Sequence, residues 1–219
     1  MSSVKENLHK VQEKIAPYTV KIIAVTKYYD ESKLLEAYDA GLRDFGENRV
    51  NDAIAKFANL PEEVKSNSFF HLIGHLQSNK VKKAVGNFDY IHSVDSLKLA
   101  QMIDEKAEEL GIVQKIFLQI NNAKEEQKSG FSPEQLKKDF GKIIQMKNIK
   151  VMGLMNIAPI NANENELSHL FEGVKKIQLE LKSEYKCDMD ELSMGMSGDY
   201  MTAVKSGATC IRLGRVLFN

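Results

Sequence analysis

The chain has 219 residues, enough for one large domain. Its 30 lysines and arginines balance 30 aspartates and glutamates, so the formal net charge is zero and the basic excess of a nucleic-acid binder is missing. No apolar run nears the roughly 18 residues of a membrane span, and the polar start MSSVKENLHKVQEK has no apolar signal-peptide core. Two cysteines, Cys187 and Cys210, are too few for a disulfide framework and suit a reducing cytoplasm.

Short β-rich runs alternate with helical stretches. Val20–Val25 is the first run, followed by a helix over Glu31–Ala40 with Gly41 at its C-terminal cap. Arg43–Phe45 precedes a helix over Val50–Asn59, and Phe69–Ile73 precedes one from Ser78. After Tyr90–Val94, Asp95 or Ser96 caps a helix whose Leu99, Ile103, Ala107 and Leu110 share a face, ended by Gly111. Gln114–Ile120 is followed by Ser132-Pro133-Glu134-Gln135, a helix start with a capping serine and proline in the first turn. Lys150–Met155 leads to a long helix over Glu164–Tyr185, with Leu167, Leu170, Phe171, Val174, Ile177 and Leu181 on one stripe. Glu191–Ser193, a helix near Asp199–Ser206 and Thr209–Leu213 complete the series.

Eight strands alternating with eight helices predict a (β/α)8 TIM barrel, α/β in class, as a single domain over residues 1–219. An open doubly wound sheet is the rival, but its dinucleotide fingerprint is absent after the first strand. In a barrel the chemistry sits where strands end. Alternation puts Ile23, Val25 and Lys27 on one face. A lysine desolvated at the barrel mouth loses pKa and becomes a nucleophile that captures carbonyls; the plainer reading is a lysine reaching out to water. Asn48 caps a helix or lines the mouth. His71 and His75 are four apart, but they lack a zincin glutamate and straddle a strand end, so hydrogen-bonding or packing roles fit better than a metal.

The stretch Ser193-Met194-Gly195-Met196-Ser197-Gly198-Asp199 carries two glycines and two serines before a helix, which suits a nest of backbone N–H groups around an anion. Gly214, after the last strand, permits close backbone approach, and the last two loops of a barrel often hold phosphate. An ordinary turn and cap is the alternative. With Ile211 and Leu213 on one face, Arg212 and Cys210 take the other; a buried arginine there needs an ion pair or a ligand.

The segments AVTKY, FGENRV, HLIGHLQSNK, GLMNIAP, LSMGMSGD and CIRLGRVLF follow one another in order. From residue 20 to the C-terminus the chain resembles the YggS/PROSC family of pyridoxal 5′-phosphate (PLP) binding proteins, the pyridoxal phosphate homeostasis proteins. The resemblance implies a fold-type III barrel like the N-terminal domain of alanine racemase. It implies that Lys27 forms the Schiff base with PLP and that Ser197 holds the phosphate, helped by backbone at Gly214 and Arg215. Arg212 would face the pyridine nitrogen, and Asn48 and Met155 would line the pocket. A guanidinium keeps its proton, so it would leave that nitrogen unprotonated and weaken the electron sink.

Two functions are then open. One is a non-catalytic carrier that buffers PLP and hands it to PLP-dependent apoenzymes, as a cytoplasmic monomer without nucleic-acid or membrane partners. The other is a small PLP-dependent amino-acid racemase, for which no second base is identified. Without PLP, the same anion site would suit a sugar-phosphate isomerase.

Overall fold

The computed structural model describes residues 3–123 and 129–219. Eight parallel strands close into a barrel in sequence order, β1 pairing with both β2 and β8. They are β1 Lys21–Val25, β2 Asp44–Glu47, β3 Phe69–Leu72, β4 Tyr90–Val94, β5 Gln114–Ile120, β6 Ile149–Asn156, β7 Glu191–Met196 and β8 Cys210–Leu213. The helices are α1 Val4–Ile15, α2 Glu31–Asp39, α3 Val50–Ala58, α4 Glu62–Ser66, α5 Val81–Ala84, α6 Leu97–Leu110, α7 Pro133–Ile143, α8 Glu164–Tyr185, α9 Tyr200–Lys205 and α10 Arg215–Phe218. The predicted barrel is therefore present, and among the described residues α1, before β1, and α4, between α3 and β3, are additional to its eight-fold repeat. Met1 and Ser2 of the polar start lie outside the described residues.

Local chemistry explains where the elements begin. Ser3 and Glu6 form a reciprocal capping box on α1, and Asn163 and Glu166 do so on α8. Asp30, Ser96 and Ser132 each accept an N–H of the turn they open. Gly111 ends α6 in the left-handed region, φ +64°. The helix predicted from Ser78 starts as a 3-10 turn, Ser78–Lys80, and runs into α5. Three readings change. Asn48 is not the cap of α3; Arg49 takes that position, with no side-chain bond. Leu110 is 46% exposed rather than on the buried face of α6. Most consequentially, β7 runs on to Met196, so Met194, Gly195 and Met196 belong to the strand rather than to a loop.

Alternation along the strands sorts the core into two layers. Ala24, Phe45, Leu72, Ile91, Leu118, Leu154, Leu192, Ile211 and Leu213 point outward into the main core beneath the helices. Ile23, Tyr90, Phe117, Met155 and Cys210 form a smaller cluster inside the barrel. Beside them runs a buried polar chain. His71 Nε2 lies 3.0 Å from Asp44 Oδ1, and His71 Nδ1 lies 2.9 Å from His92 Nε2. His92 Nδ1 is 2.9 Å from Ser193 Oγ, which meets Arg212 Nη1 at 2.6 Å. The His71 ring stacks on Tyr90, with centroids 4.6 Å apart, and the His92 ring stacks on Phe117 at 4.1 Å.

Burial holds both imidazoles below the ordinary histidine range, His92 well below it, where the positive charge of Arg212 adds to the effect. Unfolded, each ring protonates near pH 6.5. Below that pH the unfolded chain gains protons that the barrel refuses. Stability is therefore full above pH 6.5 and is lost as pH falls toward the depressed folded values. Urea unfolding midpoints are expected to decline between pH 6.5 and about pH 5, with a shallower slope in His92→Gln; a flat wild-type profile over that window would contradict buried neutral rings.

Candidate active site

The candidate residues come from strand ends that barrel closure makes neighbours. Ala24 pairs with Leu213, so the turn after β1 and the loop after β8 lie side by side. An added Cβ on Gly214 would sit 3.5 Å from Val25 Cβ and from its carbonyl oxygen, ordinary contact distances. Val25, two residues after the inward Ile23, is half-buried. The strand ends there, and Tyr29 N–H donates to Thr26 O at 3.0 Å to make a turn. Lys27 sits in this turn, half-buried, with Nζ 4.8 Å from the centroid of the exposed Tyr28 ring. The strand thus ends two residues before Lys27, and the turn does not seal the side chain from water. Among the described residues it has no ion-pair partner.

A neighbouring lysine is held very differently. Lys56, on α3, donates to Glu47 Oε1 at 2.6 Å and to Thr26 O at 2.8 Å. Thr26 Oγ1 donates to the same Glu47 oxygen at 2.7 Å. The Glu47 and Lys56 side chains are 3% and 11% exposed, so this is a nearly dry ion pair clamped to the backbone directly before Lys27. Sequence reasoning missed it. Glu47 was visible inside FGENRV, but only the register Ala24↔Phe45 and Val25↔Gly46 brings β2 beside this turn.

Arg212 is 4% exposed. Its Nη1 donates to Ser193 O and Ser193 Oγ, both at 2.6 Å, and its Nη2 donates to Asn156 O at 2.7 Å. A guanidinium has five N–H groups. The Nε–H and one Nη2–H have no acceptor among the described residues. Nearby, Asn156 Oδ1 is buried without a donor. Cys210 faces the same interior, but burial pushes its thiol up to about 12, so it supplies no thiolate near neutral pH.

Ser197, just past β7, joins the last two loops. Its Oγ lies 3.4 Å from the N–H of Gly214 and 3.4 Å from that of Val216. Asp199 Oδ1 takes the Met196 N–H at 2.5 Å and tightens the turn. The two glycines have separate jobs. Gly195 has φ +89°, and a Cβ there would stand 2.7 Å from Ala203 Cβ, so its bareness lets α9 pack on β7. Gly198 faces open space. The predicted glycine nest thus reduces to the Ser197–Gly198 end of the stretch. Arg215 is exposed and offers only its backbone position at the start of α10.

Asn48 is half-buried and lines a cavity of about 300 Å³ with Ile73, His75, Gln119, Asn121 and Ile157. Met155 is fully buried inside the barrel, below that level. His75 lies 3.5 Å from Asp95 and 3.3 Å from Ser129 Oγ at the mouth, while His71 belongs to the interior chain. The two histidines therefore do not converge.

The chain matches the family described as alanine racemase, N-terminal domain, over residues 1–219. It is 42% identical to the pyridoxal phosphate homeostasis protein of a Synechocystis species, covering 92% of each chain. It is 36% identical to that of Aquifex aeolicus over 100% of this chain and 95% of the relative. PipY of Synechococcus elongatus, in a structure with PLP bound, is 40% identical with a TM-score of 0.90, covering 99% of this chain and 100% of that one. Alanine racemase of Clostridium difficile, 16% identical with a TM-score of 0.79 over 98% of this chain and 56% of its own, shares the fold. The chain thus belongs to the alanine racemase N-terminal domain family, among the pyridoxal phosphate homeostasis proteins.

Proposed function

We propose that this protein binds PLP, with Lys27 as the attachment point, and serves the homeostasis of that cofactor. The observation that carries the reading is the donor set. Ser197 Oγ and the N–H groups of Gly214 and Val216 meet at one place, and Arg212 holds two unmatched N–H groups on the adjoining strand. PLP offers a phosphate, a ring-nitrogen acceptor and an aldehyde, and these residues supply an anion site, a donor and an amine. When bound, the cofactor contributes an aldehyde that an amine captures reversibly as a Schiff base. PipY, similar over its whole length, has been seen with PLP bound.

The chain's own residues do the rest. Ser197 and the backbone N–H groups bind the anion, and Glu47, Lys56 and Thr26 steady the turn that carries Lys27. Arg212 donates and keeps its own proton. A bond that forms and reverses in water suits storage and release to PLP-dependent apoenzymes. In this reading the functional unit is a monomer forming one domain. Its place is the cytoplasm, which suits the two free cysteines.

Incubation with PLP and borohydride, followed by peptide mass spectrometry, is expected to find the reduced adduct on Lys27, and Lys27→Ala is expected to lose it together with the visible absorbance of the bound cofactor. An adduct elsewhere, or none, overturns the reading. Inversion of an amino acid at enzyme-like rates would replace it with a racemase. Ser197→Ala is expected to weaken PLP binding by about 1.5–3 kcal/mol through loss of a hydrogen bond to a charged group. Equilibrium titration at fixed salt checks this, and unchanged affinity would move the phosphate away from Ser197.

A further inference from the structure

The polar chain inside the barrel has a direction, fixed from its carboxylate end. Arg212 can only donate. Its Nη1 lies 2.6 Å from Ser193 Oγ, so that oxygen accepts, and its single O–H can serve His92 Nδ1. His92 Nδ1 is then unprotonated, and its proton sits on Nε2, facing His71 Nδ1. That nitrogen accepts in turn, so His71 donates from Nε2 to Asp44. Starting from the carboxylate, which only accepts, gives the same assignment at every step. Both rings are neutral and fully enclosed, and each has its plane set by an aromatic neighbour, Tyr90 or Phe117.

We propose that Ser193, His92, His71 and Asp44 are positioning residues for Arg212: a one-way hydrogen-bonded column that fixes the plane of its guanidinium. The inference rests on the PLP reading above and adds to it. A hydroxyl rotates about its C–O bond. Tied to His92, the Ser193 hydroxyl keeps its lone pairs on Arg212 Nη1. Nη1 and Nη2 are then held on three oxygens of β6 and β7, which fixes the plane that contains the two remaining N–H groups.

Imidazole nitrogen spectra of labelled full-length protein in mildly alkaline solution are expected to show both His71 and His92 as neutral Nε2–H tautomers. An Nδ1–H tautomer at either ring breaks the column and overturns the proposal. PLP is then titrated into His92→Phe, which keeps a ring against Phe117 but has no nitrogen, and into His92→Gln, whose amide restores one donor and one acceptor. His92→Phe is expected to lose about tenfold or more in PLP affinity and to change the circular dichroism of the bound cofactor, while borohydride still traps Lys27. His92→Gln is expected to recover most of both. Should His92→Phe not fold, Ser193→Ala removes one oxygen and is expected to show the same loss. Wild-type affinity and dichroism in these variants, with the Lys27 adduct intact, overturn the column alone. Failure of the wild-type protein to trap PLP on Lys27 overturns the PLP reading and the column's role with it.

Discussion

A guanidinium enclosed in a barrel has to be met by oxygen on every side it can reach, and this requirement organises the middle of the molecule. Moving an ion of that size out of water costs several kcal/mol even after the protein relaxes. Arg212 is met by the Ser193 carbonyl, the Ser193 hydroxyl and the Asn156 carbonyl, all within 2.7 Å. Among the described residues no carboxylate touches it, so there its charge is solvated by dipoles rather than cancelled. The column through His92 and His71 to Asp44 extends that solvation across the barrel and ends on a carboxylate. A charge held by dipoles with N–H groups to spare is available to a ligand in a way that a closed ion pair is not.

The lysines at the other end of the site follow the opposite logic. Lys56 is spent on structure: its ammonium is fixed between Glu47 and the Thr26 carbonyl, which ties α3, β2 and the end of β1 together. Lys27, one residue beyond the clamped Thr26, has the Tyr28 ring beneath its ammonium and, among the described residues, no ion-pair partner. The clamp thus fixes the backbone of the turn while leaving the neighbouring side chain uncommitted. A reactive amine needs that combination, because a lysine locked in a salt bridge is held in its protonated, non-nucleophilic form.

Much of the architecture was legible in the sequence because it rests on local signals. Ser96, Gly111, the Ser132-Pro133 start and the apolar stripe of α8 are written within a few residues of the elements they define. The parity of β8, with Ile211 and Leu213 outward, already turned Arg212 inward. What escaped is what depends on register across strands. Ser193 read as the end of a short strand opening a glycine-rich stretch, but its place beside Arg212 emerges only because β7 continues to Met196 around a shift in its pairing with β8. His92 drew no notice in a run that read simply as a strand, and only the closed barrel sets it between His71 and Ser193. Glu47 and Lys56 are nine residues apart in sequence and carry no motif of their own; a turn belonging to a third element joins them.

Closure itself accounts for the remaining coupling. In an open sheet β1 and β8 would be far edges, and residues 27 and 212–215 would have no reason to meet. Here the Ala24↔Leu213 pairing sets the Lys27 turn beside Gly214, and the Ser197 hydroxyl bridges from β7 to the same backbone. Three consecutive strands in the ring, β7, β8 and β1, therefore carry the amine, the anion-binding N–H groups and the buried cation. The Asn48 cavity lies among the ends of β2, β3, β5 and β6. Barrel closure, rather than nearness in sequence, thus brings the ends of β7, β8 and β1 together.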